Sequence, residues 1–284
     1  MKPSQTNLNT YQHAPNKSVL VGKTKYAYRD LGPQEGVPII LLNHWGAVLD
    51  NFDPYIVDAL AKSHRVIAVD YRGIGSSGGS APLSIAEMAD DTIALIRALG
   101  FNKIDLFGFS LGGMVAQDVV LKVPDLVRRL ILTGTGPAGG RDINQVGSVS
   151  WPLIIKALFT LRDPKYNLFF TPSRNSQGAA TEFLARLKER KDNRDKGPTP
   201  RAFLRQLTAI HAWGNQSPQN LGAITIPVLV ANGDNDIMVP TENTVDIARR
   251  IKGSELVIYK DAGHGGIFQY HEEFTKTALA FLTK

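Results

Sequence analysis

The chain has no cysteine among its 284 residues. Disulfides and thiolate metal sites are thereby excluded. Long apolar runs are missing too. No stretch approaches the roughly 20 apolar residues of a membrane span. The start, Met1-Lys-Pro-Ser-Gln-Thr-Asn7, is too polar for a signal peptide. These absences lead us to expect a cytoplasmic protein with no membrane partner. Charge of one sign is not concentrated anywhere. The formal charge is +6, yet the densest cluster, Glu182 to Lys196, mixes six basic with four acidic residues and nets only +2. A nucleic-acid surface needs same-sign clustering with aromatic residues between, so no nucleic-acid partner is expected. His13, His64, His211 and His271 lack metal-ligand spacing. Neither a metal nor a cofactor is expected.

What is present is apolar and regular. Hydrophobic residues make up 43% of the chain, enough for one large core with room for a subdomain. Residues 1 to about 17 read as a loose polar arm. Strand candidates follow at Ser18–Val21, Lys25–Asp30, Val37–Leu42 and Arg65–Asp70. The unbroken apolar run Val37-Pro-Ile-Ile-Leu-Leu42 suits a parallel strand buried on both faces. Ser84 opens a helix with a Ser84-x-x-Glu87 capping box. Ile85, Met88, Ala89, Ile93, Ile96 and Leu99 keep helical spacing up to Gly100. Further strands are predicted at 103–109, Arg129–Thr133, Ile226–Gly233 and Glu255–Tyr259. Alternating strands and helices imply a mostly parallel sheet with right-handed crossovers. The alternation breaks after Gly140. From about Arg141 to Ala223 only helices are predicted, at about Trp151–Leu161, Lys165–Phe170, Gln177–Lys191 and Pro200–Trp213.

One pentapeptide carries chemistry. Gly108-Phe-Ser-Leu-Gly112 joins the 103–109 strand to a helix pattern that Pro124 closes. A sharp strand-to-helix turn strains its central residue and lifts that side chain above the sheet. The bare pattern arises by chance about once in ten chains of this length. Its weight comes from an acid and a histidine further on. Asp234 and Asp236 follow the strand ending at Gly233, and His264 lies in Asp261-Ala-Gly-His-Gly265 after the last strand. Open α/β sheets place their chemistry past such strand ends.

The order Ser, Asp, His resembles that of the α/β-hydrolases, and the resemblance runs from about Ser18 to Leu282. It implies an α/β-hydrolase fold: a mostly parallel central sheet flanked by helices, with a helical lid inserted after the sixth strand. Residues 1–140 and 224–284 would form the core and 141–223 the cap. It implies Ser110 as nucleophile, His264 as base and Asp236 as the acid that orients it. Asp236 fits the family's G-x-x-D spacing after Gly233, and Asp234 suits the shaping of the turn. One oxyanion N–H would come from Leu111. The other comes from Asn43-His44-Trp45-Gly46, which departs from the usual His-Gly-x pattern. If Asn43 takes the family histidine's place the donor is Trp45, and if His44 does it is Gly46. Nine residues separate Asn43 from Phe52, a distance common among relatives, which favours Trp45. Asp70-Tyr-Arg-Gly-Ile-Gly-Ser-Ser-Gly78 resembles a structural turn of the family. Trp45, Phe109, Trp151 and Trp213 are the expected substrate contacts. The implied activity is hydrolysis of a small carboxylic ester through an acyl-enzyme. A lactonase, a cofactor-free perhydrolase and a ligand-binding receptor on the same triad are alternatives.

Overall fold

The computed structural model describes residues 10–284. Residues 1–9, the first part of the expected arm, lie outside the described residues. The apolar runs become eight strands. These are β1 (Lys17–Val21), β2 (Thr24–Leu31), β3 (Ile39–Leu42), β4 (Val66–Val69), β5 (Ile104–Phe109), β6 (Val127–Thr133), β7 (Val228–Gly233) and β8 (Glu255–Tyr259). They form one sheet in the order β1-β2-β4-β3-β5-β6-β7-β8. The β1–β2 and β2–β4 pairings are antiparallel, and all later pairings are parallel. β3, β4, β5 and β7 are buried at every position, as strands covered on both faces must be.

The helices are α1 (Pro54–Ala61), α2 (Ile85–Ala98), α3 (Leu111–Lys122), α4 (Val146–Thr160), α5 (Lys165–Leu168), α6 (Arg174–Arg186), α7 (Pro200–Gly214), α8 (Thr241–Arg250), α9 (Gly266–Gln269) and α10 (His271–Thr283). α1 packs on α10 and α2 on α3, flanking the sheet. Ser84 caps α2 by accepting from the Glu87 N–H, and the Glu87 carboxylate takes the N–H of Leu83. These bonds satisfy amides that a helix start leaves open.

Four helices, α4 to α7, lie between β6 and β7 in the chain. α4 begins at Val146, earlier than its apolar pattern suggests, and carries Pro152 inside it. The turn at Ile143–Gln145 packs beneath α7 and seeds the helix before the proline. α6 stops at Arg186 and does not reach Lys191. There the Arg194 guanidinium folds back to donate to the carbonyls of Leu187 and Arg190, taking up groups a longer helix would use.

This helical segment is tied to the sheet by buried ion pairs. Arg186 donates to both oxygens of Asp53 and to the Phe268 carbonyl. Arg29, 1% exposed, bridges Asp50 and Asp195. Residues 10–16 are not the loose arm expected. Tyr11 is buried, donating its O–H to the Leu49 carbonyl and its N–H to Asp58. Arg190 donates to the carbonyls of Gln12 and Ala14. Buried guanidinium groups need such partners, which draws this stretch onto the core.

Candidate active site

Ser110 caps the end of β5 and starts α3 at φ 57° and ψ −118°. That region is strained for any residue with a side chain. Two close approaches enforce it. A Cβ at Gly108 would strike the backbone of Gly112, and one at Gly112 would strike the Leu42 carbonyl. The Ser110 N–H donates to the Thr133 carbonyl, and the Thr135 hydroxyl donates to the Ser110 carbonyl. The turn is thereby fixed on both sides.

Three groups converge there. His264 Nε2 lies 2.9 Å from Ser110 Oγ, and His264 Nδ1 lies 2.7 Å from Asp236 Oδ2. All three residues are buried. The second Asp236 oxygen accepts from the N–H groups of Met238 and Val239, and Oδ2 also accepts from Asn232. A carboxylate so surrounded is held in one orientation. Asp234 does not reach the histidine. Its carboxylate accepts from the Asn235 side chain and the Ala262 N–H, bracing the turn.

The loop after β3 sits opposite. The Gly46 N–H is taken by Gln206 Oε1 of α7 at 2.9 Å, and the His44 N–H by Asn43 Oδ1 at 2.8 Å. Among the described residues, the N–H groups of Trp45 and Leu111 have no partner. Gly46 has φ 72°, and a Cβ there would meet the Phe203 ring. The Trp45 indole N–H donates to the Phe203 carbonyl, and the two rings stack 4.2 Å apart.

A cavity of about 250 Å³ opens over Ser110 and His264. Its walls are mostly apolar: Trp45, Ile154, Leu168, Phe169, Phe203 and Met238, with His44 beside them. Asp163 and Lys165, ion-paired at 3.0 Å, add a polar rim. Burial, reinforced by nearby Lys165 and His264, pushes the His44 imidazole down to about 3. It is neutral at ordinary pH. Among the described residues no three His, Asp or Glu side chains gather as metal ligands would.

The four expected substrate contacts divide. Trp45 lines the cavity. Phe109 lies beneath it, its ring 5.0 Å from His264 and 4.9 Å from Phe268. Trp151 is 39% exposed on the outer side of α4, edge-on to Phe203. Trp213 is buried, its indole N–H given to the Gly136 carbonyl. Neither Trp151 nor Trp213 lines the cavity. Leu168, Phe169, Phe203 and Met238 do so instead. Large aromatic size marked the tryptophans, but size alone does not tell a core position from a wall.

A parallel-sheet protein with a serine at the strand–helix turn and a histidine past the last strand defines a class of hydrolase folds. The alpha/beta hydrolase fold family matches residues 37–269, and the chain belongs to that family. It is 35% identical to an alpha/beta hydrolase fold protein from Chitinophaga pinensis, whose structure superposes with a TM-score of 0.92 over 96% of this chain and 99% of that one. It is 29% identical to a pimeloyl-[acyl-carrier protein] methyl ester esterase of Neisseria meningitidis serogroup B, over 83% of this chain and 89% of the relative. A third likeness is to the structure of Est816, described as an N-acyl homoserine lactone degrading enzyme. That likeness has 25% identity and a TM-score of 0.72, and covers 93% of this chain and 100% of the other.

Proposed function

We propose that this protein is a serine hydrolase that cleaves a small carboxylic ester through an acyl-enzyme. The observation that carries this reading is the continuous chain of short hydrogen bonds Ser110–His264–Asp236 at the floor of the cavity. Ser110 is the nucleophile. A free hydroxyl is unreactive at neutral pH and needs a base in hydrogen-bond reach. His264 takes its proton as Oγ bonds to the scissile carbonyl carbon. Asp236 holds the imidazole with Nδ1–H toward itself and stabilises the imidazolium. The unpartnered N–H groups of Trp45 and Leu111 receive the oxyanion, where each donor is typically worth about 3–4 kcal/mol. His264 then gives its proton to the departing alkoxide. Water, deprotonated by the same histidine, frees the acid and restores Ser110.

Residues 141–223 act as the cap. The observations behind that role are the cavity walls supplied by Ile154, Leu168, Phe169 and Phe203. Apolar walls and about 250 Å³ suit a short acyl or aryl group over a charged polymer. A lactone, the same bond closed in a ring, is within reach of this chemistry, and the Est816 likeness favours including it.

The test is hydrolysis of p-nitrophenyl acetate, butyrate and octanoate by wild type and Ser110→Ala, with the first turnover resolved. Wild type is expected to show a burst and to prefer the shorter esters. Ser110→Ala is expected to lose about a thousandfold or more in kcat/KM. Equal rates for the two proteins would remove Ser110 from the mechanism. No turnover of any ester or lactone would end the reading.

A further inference from the structure

β7 reads Val-Leu-Val-Ala-Asn-Gly, so Asn232 is its one polar side chain. It is 1% exposed and does not line the cavity. A buried amide is costly unless it is hydrogen-bonded, and here every group is. The side-chain oxygen accepts from the Gly233 N–H at 2.9 Å, which turns the NH2 group the other way. Its two N–H groups then meet acceptors at 3.0 Å, Asp236 Oδ2 and the Thr244 hydroxyl of α8. The Thr244 oxygen being so engaged, its own proton goes to the Thr135 carbonyl, 3.4 Å away. The Thr135 hydroxyl in turn donates to the Ser110 carbonyl at 2.8 Å. Thr135 and Thr244 are buried as deeply as Asn232. A second hydrogen-bonded route thus joins Asp236 to the turn that carries Ser110, without passing through His264. The two routes share one atom, because Asp236 Oδ2 also takes His264 Nδ1 at 2.7 Å.

We propose that Asn232 is a positioning residue for the triad: it holds the Asp236 oxygen that orients His264 and, through Thr244 and Thr135, ties that oxygen to the nucleophile's turn. This rests on the serine-hydrolase reading and deepens it. The carboxylate has to stay in place while His264 takes a proton from Ser110 and passes it to the leaving group. Met238 and Val239 fix the other oxygen, Oδ1, through their N–H groups. Without Asn232, Oδ2 keeps the imidazole alone as donor, and its place follows the His264 loop. An amide suits the task, since it donates to the carboxylate without adding charge and takes up no proton itself. Bonds linked in this way inside a protein reinforce one another. Because Asn232 does not line the cavity, its influence belongs to the chemical step and not to substrate binding.

The experiment follows p-nitrophenyl butyrate hydrolysis by wild type, Asn232→Leu, Thr244→Val and Thr244→Ser, with rates expressed per active site from the burst amplitude. Leucine keeps the branching of asparagine and has no donor. In Asn232→Leu, kcat is expected to fall by about fivefold or more while KM stays within about twofold. Proton NMR supplies a second reading, the far-downfield resonance of the His264 Nδ1–H, assigned by its loss in Asp236→Asn. In Asn232→Leu that resonance is expected to move, because the oxygen it bonds to has lost a competing donor. A smaller fall in kcat, a loss carried by KM, or an unmoved resonance overturns the inference and leaves the hydrolase reading standing. If Asn232→Leu does not fold, Thr244 decides. Valine keeps the shape of threonine without the hydroxyl and is expected to lower kcat by about threefold, and serine, which restores the hydroxyl, to recover most of that loss. A valine variant as fast as wild type, or a serine variant no faster than valine, overturns the inference. If wild type turns over no ester, the hydrolase reading falls and the inference goes with it.

Discussion

Ser110 holds positive φ because two glycines let strand and helix close around it. Gly108→Ala puts a methyl into the backbone of Gly112, which no side-chain rotation relieves. The expected outcome is a loss of about 2 kcal/mol or more in stability, together with a fall in ester turnover, checked by urea unfolding and steady-state rates. A variant as stable and active as wild type would show the turn to be looser than its geometry implies. The two aspartates after β7 provide a sharper contrast. Asp236→Asn leaves its amide oxygen to the Met238 and Val239 N–H groups and turns its NH2 toward His264, which removes the charge that supports the imidazolium and favours the wrong tautomer. A fall of about 10³- to 10⁴-fold in kcat is expected with the fold intact by circular dichroism. Asp234→Asn alters the brace to Asn235 and Ala262 and removes an exposed ion pair with Lys260, and is expected to stay within about tenfold of wild type. Equal losses in the two variants would undo the separate roles given to them.

At the scale of elements, the loop after β3 depends on α7. Gln206 is fully buried in α7 and its side-chain oxygen accepts from the Gly46 N–H, while the Phe203 carbonyl accepts from the Trp45 indole N–H. Gln206→Ala frees the Gly46 amide and loosens the peptide that would present the Trp45 N–H. A drop of about tenfold in kcat, with a smaller change in KM, is expected, since the donor matters most where charge develops. An unchanged kcat would mean the loop is held without α7. The same bond explains what the sequence could and could not disclose. β3, β4, β5 and β7 were legible as apolar runs because burial on both faces leaves no alternation to misread. Ser110 and His264 were marked out as candidates by following strand ends, and Asp236 was separated from Asp234 by the G-x-x-D spacing that the family resemblance implies. The spacing to Phe52 favours Trp45 over Gly46, but the bond that occupies the Gly46 N–H comes from a partner 160 residues away, which no local pattern carries. Phe203 and Leu168 as cavity walls, and Trp213 as a buried core residue, depend on how α5 and α7 dock, a tertiary outcome. The early start of α4 and early stop of α6 likewise follow from packing at Ile143 and capping by Arg194, not from helical periodicity.

Across the whole molecule, the chain from residue 10 to 16, the helical segment 141–223 and the sheet are joined through buried charges. Arg29, Arg186 and Arg190 supply the cations, and Asp50, Asp53 and Asp195 the anions. Asp58 lies at the edge of this network, half-buried on α1, accepting the Tyr11 N–H. Burial pushes its carboxyl up to about 6; repulsion from Glu189 and Asp53 adds to the rise, and the Tyr11 bond opposes it. In the unfolded chain an aspartate titrates near 3.9. Between about pH 4 and 6, then, the folded protein keeps a proton that the unfolded chain releases. The stability linked to that proton is present below about pH 4 and is lost as pH rises through 6. Asp58→Asn cannot ionise, and its side-chain oxygen can still accept from Tyr11. It is expected to match wild type near pH 4 and to exceed it by about 1–2 kcal/mol at pH 8, after allowing for solvent screening at a half-buried site. Thermal melts at the two pH values check this, with a rise of a few degrees in Tm expected only at the higher one. A variant less stable than wild type at pH 8 would mean that the ionised carboxylate, through its bond to Tyr11, favours the fold, and that burial at α1 is not the dominant influence on Asp58.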